Sequence, residues 1–282
     1  MTDVHSGPFG ARLRAAMDGR GPLCAGIDPH AALLDAWGLT DSVNGLEKFA
    51  LQATEVLAPQ VAAIKPQSAF FERFGSRGIG VLEQVIATAR EAGALVVLDV
   101  KRGDIGSTAQ AYADAYLDPR SPIAADAVTA APYLGFGSLE PMFATAREHG
   151  AGVFVLALTS NPEAPPFQRA RTAAGGTVAG TVLAELAALN GETAPMGSFG
   201  AVVGATIEDT DEDLAINGPL LVPGIGAQGG TADDVRRIFG GVLDQVLPAS
   251  SREILSAGPD AGALHDAVGR TLEAFTALRD GR

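Results

Sequence analysis

Short apolar runs rich in β-branched residues alternate with longer amphipathic stretches along the chain. This alternation is typical of repeated βα units, in which helices cover a parallel sheet. Eight such units close into a barrel of about 250 residues, and this chain has 282. We therefore expect an α/β fold of the (β/α)8 TIM-barrel class, in a single domain over residues 1–282. The predicted strands are Leu23–Asp28, Val61–Lys65, Ala94–Lys101, Ala127–Ala131, Gly152–Leu158, Ala201–Gly204, Leu220–Pro223 and Gln245–Pro248.

The connections between these strands carry helix and loop signals. In residues 80–93 the apolar side chains recur at helical spacing on one face, and Gly93 follows as a stop. Thr231, with Asp234 three residues later, resembles a capping box that begins a helix. Residues 161–176 are rich in Pro, Gly and polar residues and lack helical periodicity, so we predict a long loop on the active-site side.

Charge and composition exclude several classes of partner. The formal net charge of −13 argues against a nucleic acid, because phosphate backbones are bound by dense Lys and Arg. The one cysteine, Cys24, cannot form an internal disulfide. We find no secretory leader and no apolar run of about 18 residues, so we expect a cytoplasmic protein that does not bind a membrane. The histidines are scattered without the spacing of metal ligands, and we predict no metal.

Charged residues end the third predicted strand, in Val97-Leu98-Asp99-Val100-Lys101-Arg102-Gly103-Asp104-Ile105. Because side chains alternate along a strand, Asp99 and Lys101 point toward the same face, which in a barrel is the interior. Charges at the carboxyl end of a barrel strand commonly belong to the active site, where all the βα loops converge. A structural ion pair that closes the barrel mouth is the alternative.

The carboxylates around Lys101 indicate which chemistry it supports. A Schiff-base lysine needs its ammonium destabilised by apolar burial or a neighbouring cation, whereas flanking carboxylates keep the proton on it. A protonated lysine can neutralise a carbanion as it forms and then donate its proton to that carbon. We therefore interpret Lys101 as an acid.

Other strand ends place polar residues at the same rim. Lys65 ends the second predicted strand, where Pro66 stops it, and Asp28 ends the first. Ser160 follows the fifth strand, in a segment whose hydroxyl and amide groups are able to read the polar edge of a planar ring. Ordinary turn or surface chemistry is the alternative for each of these residues.

The run Pro223-Gly224-Ile225-Gly226-Ala227-Gln228-Gly229-Gly230 matches the dinucleotide pattern G-x-G-x-x-G, and Asp244 follows at about the distance of a ribose-binding acid. The match is misleading, because Asp244 precedes its strand instead of closing it and the motif comes late in the chain. We predict a phosphate site after strands seven and eight, with backbone amides and a helix N-terminus facing the anion. A purely structural glycine turn is the alternative.

Arg252 follows the eighth predicted strand and lies beside the predicted phosphate site, together with the hydroxyls of Ser250 and Ser251. Its planar guanidinium suits phosphate because it makes paired, charged hydrogen bonds. An exposed surface arginine is the alternative.

Taken together, Asp99-Val100-Lys101-Arg102-Gly103-Asp104-Ile105, Ile64-Lys65-Pro66 and the glycine-rich run resemble the orotidine 5′-phosphate decarboxylase family. The resemblance runs from about Phe9 to Arg270. Its Asp-x-Lys-x-x-Asp element is quite specific, though some related phosphosugar decarboxylases and synthases share it. The ending Ser250-Ser251-Arg252-Glu253-Ile254-Leu255, with the chain length, resembles the longer bacterial branch, and residues 163–176 depart from the shorter members.

The resemblance implies a lyase that converts orotidine 5′-monophosphate (OMP) to uridine 5′-monophosphate (UMP) and carbon dioxide without a cofactor. It implies a homodimer whose active sites lie at the subunit interface. The implied charged array is Lys65, Asp99, Lys101 and Asp104, with Asp104 reaching into the neighbouring subunit's site. The implied substrate contacts are Asp28 for ribose, Thr108 of the neighbouring subunit for ribose, Ser160 for the pyrimidine, and Gln228 with Arg252 for phosphate.

Three other functions are compatible with these residues. A phosphosugar decarboxylase or synthase on the same barrel would stabilise an enediolate with a divalent metal. A Schiff-base aldolase would use the lysine as a nucleophile, which the carboxylates around Lys101 disfavour. A phosphate-sensing barrel without catalysis would have no need of the charged array.

Overall fold

The computed structural model describes residues 7–208 and 210–279, and the strands in this part of the chain form a closed barrel. Each strand pairs in parallel with the next, and the eighth pairs with the first. The predicted (β/α)8 barrel is therefore confirmed, while residues 1–6, 209 and 280–282 of the predicted domain lie outside the described residues. The strands are β1 (Cys24–Ile27), β2 (Ala63–Pro66), β3 (Leu95–Arg102), β4 (Ala127–Ala130), β5 (Gly152–Leu158), β6 (Phe199–Val203), β7 (Leu220–Pro223) and β8 (Val246–Ser250).

β6 and β8 are two of the strands that differ from their predicted bounds. β6 begins two residues earlier than predicted, at Phe199, because this residue pairs with Val153 of β5. β8 ends two residues later than predicted, at Ser250, because this residue pairs with Ala25 of β1. Both differences arise from pairing between strands, which an apolar run does not reveal by itself.

Helices surround the barrel and bury their apolar faces against it. In the helix over residues 76–91, the predicted face of Val81, Leu82, Val85, Ile86 and Ala89 is buried. The helices are α1 (Phe9–Arg20), α2 (Ala31–Ala36), α3 (Val43–Leu57), α4 (Ala69–Glu72), α5 (Ser76–Glu91), α6 (Gly106–Leu117), α7 (Glu140–His149), α8 (Pro165–Gln168), α9 (Val178–Asn190), α10 (Ala232–Phe239), α11 (Arg252–Leu255) and α12 (Ala261–Arg279). Within the described residues, none is both long and apolar enough to cross a membrane.

Local signals explain where several helices begin. The predicted capping box of α10 is confirmed, because Thr231 Oγ1 accepts a hydrogen bond from Asp234 N and Asp234 accepts one from Thr231 N. The predicted long loop over residues 161–176 follows the carboxyl end of β5 and contains the short helix α8, which the sequence pattern did not indicate. Proline at its first two positions favours helix initiation, and four residues are too few to show a helical period.

The barrel interior is closed at its amino-terminal end by α1. Phe9, Leu13 and Met17 of this helix pack with inward-facing strand residues in one apolar cluster. Phe9 meets Phe154 of β5 edge to face at 5.9 Å between ring centroids, and a Cβ at Gly152 would lie 2.3 Å from the Phe9 ring. Glycine at position 152 therefore makes room for the Phe9 ring of α1. The polar side chains lie at the opposite end of the barrel.

A buried ion pair fastens this closed end. Arg12 of α1 lies 2.5 Å from Asp126, which precedes β4, and both side chains are buried. Asp126 also accepts a hydrogen bond from Val96 N, and Arg12 donates one to Gly150 O. Opposite charges paired in this way offset part of the cost of their removal from water.

Candidate active site

A cavity of about 360 Å³ opens at the carboxyl ends of the strands. Six of the nine predicted site residues line it: Asp28, Lys65, Asp99, Lys101, Gln228 and Arg252. Parallel strands bring their carboxyl ends to one rim, so residues more than two hundred positions apart in sequence share this cavity.

Three predicted residues lie outside the lining of this cavity in the single chain: Asp104, Thr108 and Ser160. Thr108 and Ser160 are exposed, and Asp104 is half-buried in the turn between β3 and α6, where it accepts a hydrogen bond from Ile105 N. The neighbour of Ser160, Thr159, lines the cavity in its place.

Asp99 is the centre of a hydrogen-bonded network. Its Oδ1 accepts from Lys101 Nζ at 2.6 Å and from Thr129 Oγ1 at 2.7 Å. Its Oδ2 accepts from Lys101 Nζ at 2.7 Å and from Lys65 Nζ at 3.3 Å. Donors from β2, β3 and β4 therefore hold one carboxylate in a single orientation, and this carboxylate in turn holds the ammonium of Lys101.

The two lysines of this network have different environments. Lys65 and Asp99 are each 8 % exposed at the side chain, whereas Lys101 is 44 % exposed and faces the open cavity. Lys65 thus supports Asp99 from within the barrel, while Lys101 is accessible to a ligand.

The backbone at the end of β3 directs Lys101 into the cavity. Lys101 has a φ of 46°, in the left-handed region that non-glycine residues rarely adopt. The pairing of β3 with β4 is irregular between Leu98 and Arg102, and Lys101 N donates to Thr129 Oγ1 at 2.9 Å. A Cβ at Gly103 would lie 2.2 Å from Ala131 O, so only glycine lets the chain pass β4 here. Such irregularities redirect side chains next to active sites.

Mutual charge keeps Lys65 and Asp99 ionised. Burial lowers the pKa of Lys65, but the charges of Asp28 and Asp99 outweigh burial and raise that pKa above its usual value. Burial raises the pKa of Asp99, but the charges of Lys65 and Lys101 with the hydrogen bonds from Lys101 and Thr129 lower it to about 2. Asp99 is therefore a carboxylate and Lys65 an ammonium at neutral pH.

Unpaired polar atoms mark a second part of the cavity. Asp28 Oδ1, Ser250 Oγ and Ser251 Oγ are buried and have no hydrogen-bond partner within residues 7–208 and 210–279, and all three residues line the cavity. A Cβ at Gly26 would lie 2.6 Å from Ser251 Cβ, so glycine lets β1 and the end of β8 approach closely. Because unpaired buried polar groups are costly, these atoms are suited to hydroxyl or phosphate groups of a ligand.

The glycine-rich turn after β7 forms the adjoining wall. Gly224, Gly226 and Gly229 have φ values of 101°, 70° and 91°, which favour glycine. The turn is closed by hydrogen bonds from Gly226 N to Gly230 O and from Gly230 N to Gly224 O, both 2.9 Å long. Ala227 and Gln228 at its tip line the cavity, whereas the first residues of α10 do not. Arg252, the first residue of α11, lines the same cavity.

Some lining residues were not predicted. Thr129 stands in the apolar strand β4, and its hydroxyl was the available signal. His30 follows the Asp28-Pro29 turn, and its ring lies 4.3 Å from that of Phe70, which also lines the cavity. Burial lowers the pKa of His30 below its usual 6.5, against the opposing charge of Asp28, so His30 is neutral at pH 7.

The arrangement can bind an anion at one end and stabilise negative charge at the other. Arg252 and the glycine-rich turn offer donors to a phosphate. Lys101 Nζ is held by both oxygens of Asp99 at the cavity mouth, where a cation could stabilise a carbanion. In the part of the chain that the structure describes, no group of three or more His, Cys, Asp and Glu is placed to hold a metal ion.

Comparison with known proteins gives consistent matches over most of the chain. The model of the orotidine 5′-phosphate decarboxylase / HUMPS family matches residues 21–267. A protein from Nocardioides sp. strain JS614, named orotidine 5′-phosphate decarboxylase, is 66% identical over 267 residues, which are 94% of this chain and 97% of the relative. A protein of the same name from Salinispora arenicola is 62% identical over 265 residues, which are 94% of this chain and 95% of the relative.

A solved structure matches equally well. The crystal structure of a protein from Streptomyces avermitilis is 57% identical to this chain and superposes with a TM-score of 0.96 over 99% of both chains. The region matched by the family model includes every strand end that lines the cavity.

Proposed function

The chain belongs to the orotidine 5′-phosphate decarboxylase family, and we propose that it converts OMP to UMP and carbon dioxide with Lys101 as the acid. The observation that carries this proposal is the Lys101 ammonium held by both oxygens of Asp99 at the mouth of the cavity. Lys65 and Thr129 fix Asp99 in turn. The cation is therefore in place before the substrate binds.

The chemistry of the ring explains why such a cation is needed. When the C6 carboxylate of OMP leaves as carbon dioxide, the electron pair stays in the plane of the ring, where no π system spreads it. A fixed adjacent cation is the natural stabiliser of this charge. The Lys101 ammonium stabilises the carbanion at C6 and then transfers a proton to it, which gives UMP. Asp99 orients Lys101 through two hydrogen bonds.

Binding of the distant phosphate contributes to the same reaction. Arg252 and Gln228 bind the phosphate, and Asp28 binds the ribose, with the unpaired hydroxyls of Ser250 and Ser251 beside them. Interactions remote from C6 hold the ring against Lys101 and so contribute to the rate. Enzymes lower barriers by about 8 to 23 kcal/mol, and no single ion pair supplies that much.

We further propose a homodimer whose subunits complete each other's sites. Asp104, in the turn after β3, and Thr108, in the first turn of α6, lie outside the cavity lining of their own chain. Ile105, between them, is 62% exposed, and Tyr133 after β4 is 75% exposed. Exposed apolar side chains in the loops after β3 and β4 favour an interface at this rim, which would carry Asp104 and Thr108 into the partner's cavity.

Mixing of inactive variants tests this sharing. Asp104→Ala and Lys101→Ala subunits are each expected to be inactive alone, and their mixture recovers one complete site in each heterodimer. Recovery of about a quarter of the wild-type activity supports a shared site. No recovery after demonstrated subunit exchange would contradict it.

Ser160 contacts the pyrimidine through the turn after β5, next to the cavity-lining Thr159. The chain acts as a single domain, in the cytoplasm, without a nucleic-acid or membrane partner. Its net charge of −13 is consistent with a small anionic substrate captured by local donors.

The activity is tested by following the loss of OMP absorbance with purified protein in the presence of a chelator. Turnover that is unchanged by the chelator, with stoichiometric UMP formed, supports the proposal. A related phosphosugar enzyme with a divalent metal would lose its activity in chelator. Absence of OMP turnover by the folded protein would refute the proposal.

A further inference from the structure

The segment after β5 contacts the cavity wall through one glutamine. Gln168, the last residue of α8, is half-buried and does not itself line the cavity. Its Oε1 accepts a hydrogen bond from Thr159 N at 2.8 Å, and its Nε2 donates one to Thr159 Oγ1 at 2.8 Å. Both polar groups of a cavity-lining residue are thus held by one side chain nine positions later.

The carboxylate of Glu163 sets the direction of the hydrogen bond between the Thr159 hydroxyl and Asn161. Glu163 only accepts hydrogen bonds when ionised, and the hydrogen bond from Asn161 lowers its pKa. Asn161 Nδ2 donates to Glu163 Oε2 at 2.9 Å, so Asn161 Oδ1 is turned toward Thr159 and accepts from its hydroxyl at 2.7 Å. The proton of the Thr159 hydroxyl is therefore committed to Asn161.

The Thr159 hydroxyl keeps one lone pair without a hydrogen bond among the described residues. A hydroxyl has one hydrogen and two lone pairs. The hydrogen points to Asn161 and one lone pair accepts from Gln168. Among residues 7–208 and 210–279, the second lone pair of this hydroxyl has no partner, so the Thr159 hydroxyl presents an acceptor to the cavity.

The segment that carries Gln168 is anchored on both sides. The Phe167 ring lies 5.4 Å from that of Tyr133 after β4. Arg169 lies 3.1 Å from Glu208 after β6. Gln168 stands between these two anchors, so its position relative to Thr159 is supported by three barrel loops.

We propose that Gln168 is a positioning residue for substrate selection, because it holds the Thr159 hydroxyl as an acceptor for the ring N–H of a uracil-type base. Uracil and orotate carry a hydrogen on N3, whereas N3 of cytosine carries a lone pair that would face the lone pair of Thr159. The inference rests on the proposed function for the identity of the substrate. It assigns a role to residues 161–176, which the charged array leaves unexplained.

The test compares the binding of two product-like nucleotides, UMP and CMP, by titration calorimetry. Gln168→Met removes both hydrogen bonds and nearly keeps the side-chain volume. Arg171→Met is the matched control, because exposed Arg171 lies in the same segment and bonds only to Gly175 O among the described residues. Thr159→Val removes the hydroxyl itself and provides a second variant of the same interaction.

We expect the wild-type protein to bind UMP more tightly than CMP. Gln168→Met weakens UMP binding about two- to tenfold, the range for one neutral hydrogen bond, and changes CMP binding little. KM for OMP rises by a similar factor, while kcat falls less. Arg171→Met leaves both affinities unchanged, and adding Gln168→Met to Thr159→Val does not lower the UMP preference further.

Several results would overturn the inference. These are a wild-type protein without preference for UMP, a Gln168→Met variant that keeps the full preference, and an equal loss for both nucleotides. An equal effect of Arg171→Met would also overturn it, by indicating a general role of the segment in stability. A wild-type protein that fails to turn over OMP refutes the proposed function instead, and the ratio of the two affinities still decides the role of Gln168.

Discussion

Asp99→Asn is the most informative change to the charged network, because it removes one charge and almost no volume. The Asp99 carboxylate accepts from Lys65, Lys101 and Thr129, and an amide would turn one N–H group toward these donors. Its pKa is lowered from the usual 3.8 to about 2. A tenfold change in a protonation equilibrium corresponds to about 1.4 kcal/mol, so the ionised form contributes about 2 kcal/mol to the free energy of unfolding.

The sign of this contribution defines the pH range of the experiment. A carboxyl whose pKa is lower in the folded than in the unfolded state stabilises the fold above its unfolded pKa, and the effect is lost as pH falls through the folded value. The contribution of Asp99 is therefore complete above about pH 5, about half of it is lost by pH 3, and most is lost near pH 2.

The assay is chemical denaturation of the wild type and of Asp99→Asn from pH 7 to pH 2.5, with kinetics on OMP at pH 7. Comparison of the two proteins cancels the titration of all other groups. We expect the difference between their free energies of unfolding to shrink by about 1 to 2 kcal/mol across this range. We expect kcat/KM to fall by about 10²- to 10³-fold. A difference that stays constant from pH 7 to pH 2.5 would refute the argument that the two lysines lower the pKa of Asp99.

Three further substitutions test other parts of the molecule. Arg252→Ala is expected to raise KM for OMP about 10- to 100-fold, the cost of one or two charged hydrogen bonds, and an equal fall in kcat would contradict its role in binding. Arg12→Ala removes the cation 2.5 Å from buried Asp126, and we expect urea denaturation to show a free energy of unfolding lower by about 3 kcal/mol. KM should stay unchanged, because the active-site cavity lies at the opposite end of the barrel. Gly26→Ala places a Cβ 2.6 Å from Ser251 Cβ and should raise KM, and wild-type kinetics would argue against a close-packed binding wall there.

Much of the fold could be predicted because buried parallel strands are continuous apolar runs separated by amphipathic helices. The ends of the strands were harder to predict from the sequence, because they depend on which residues of neighbouring strands pair. Phe199 belongs to β6 because it pairs with Val153, and no property of Phe199 alone indicates this. Helix α8 escaped prediction because it has four residues, fewer than the helical period needs to become visible.

The site was predictable where strand alternation, strand ends or a short motif carry its residues. Alternation along β3 placed Asp99 and Lys101 on one face, and the structure joins them by two hydrogen bonds. The left-handed backbone of Lys101 was not foreseen, because it depends on the irregular pairing with β4. The contact between Thr129 and Asp99 joins residues 30 positions apart, and only the closed barrel brings them together.

The replacement of Lys101 by alanine tests the central claim most directly. OMP turnover and UMP binding are measured on the same preparation of Lys101→Ala and wild type, with circular dichroism to establish that both are folded. The account predicts that turnover falls by more than about 10³-fold, because the carbanion loses both its stabilising charge and its proton donor, while the affinity for UMP largely survives. Near-normal turnover in the folded Lys101→Ala protein would contradict the account.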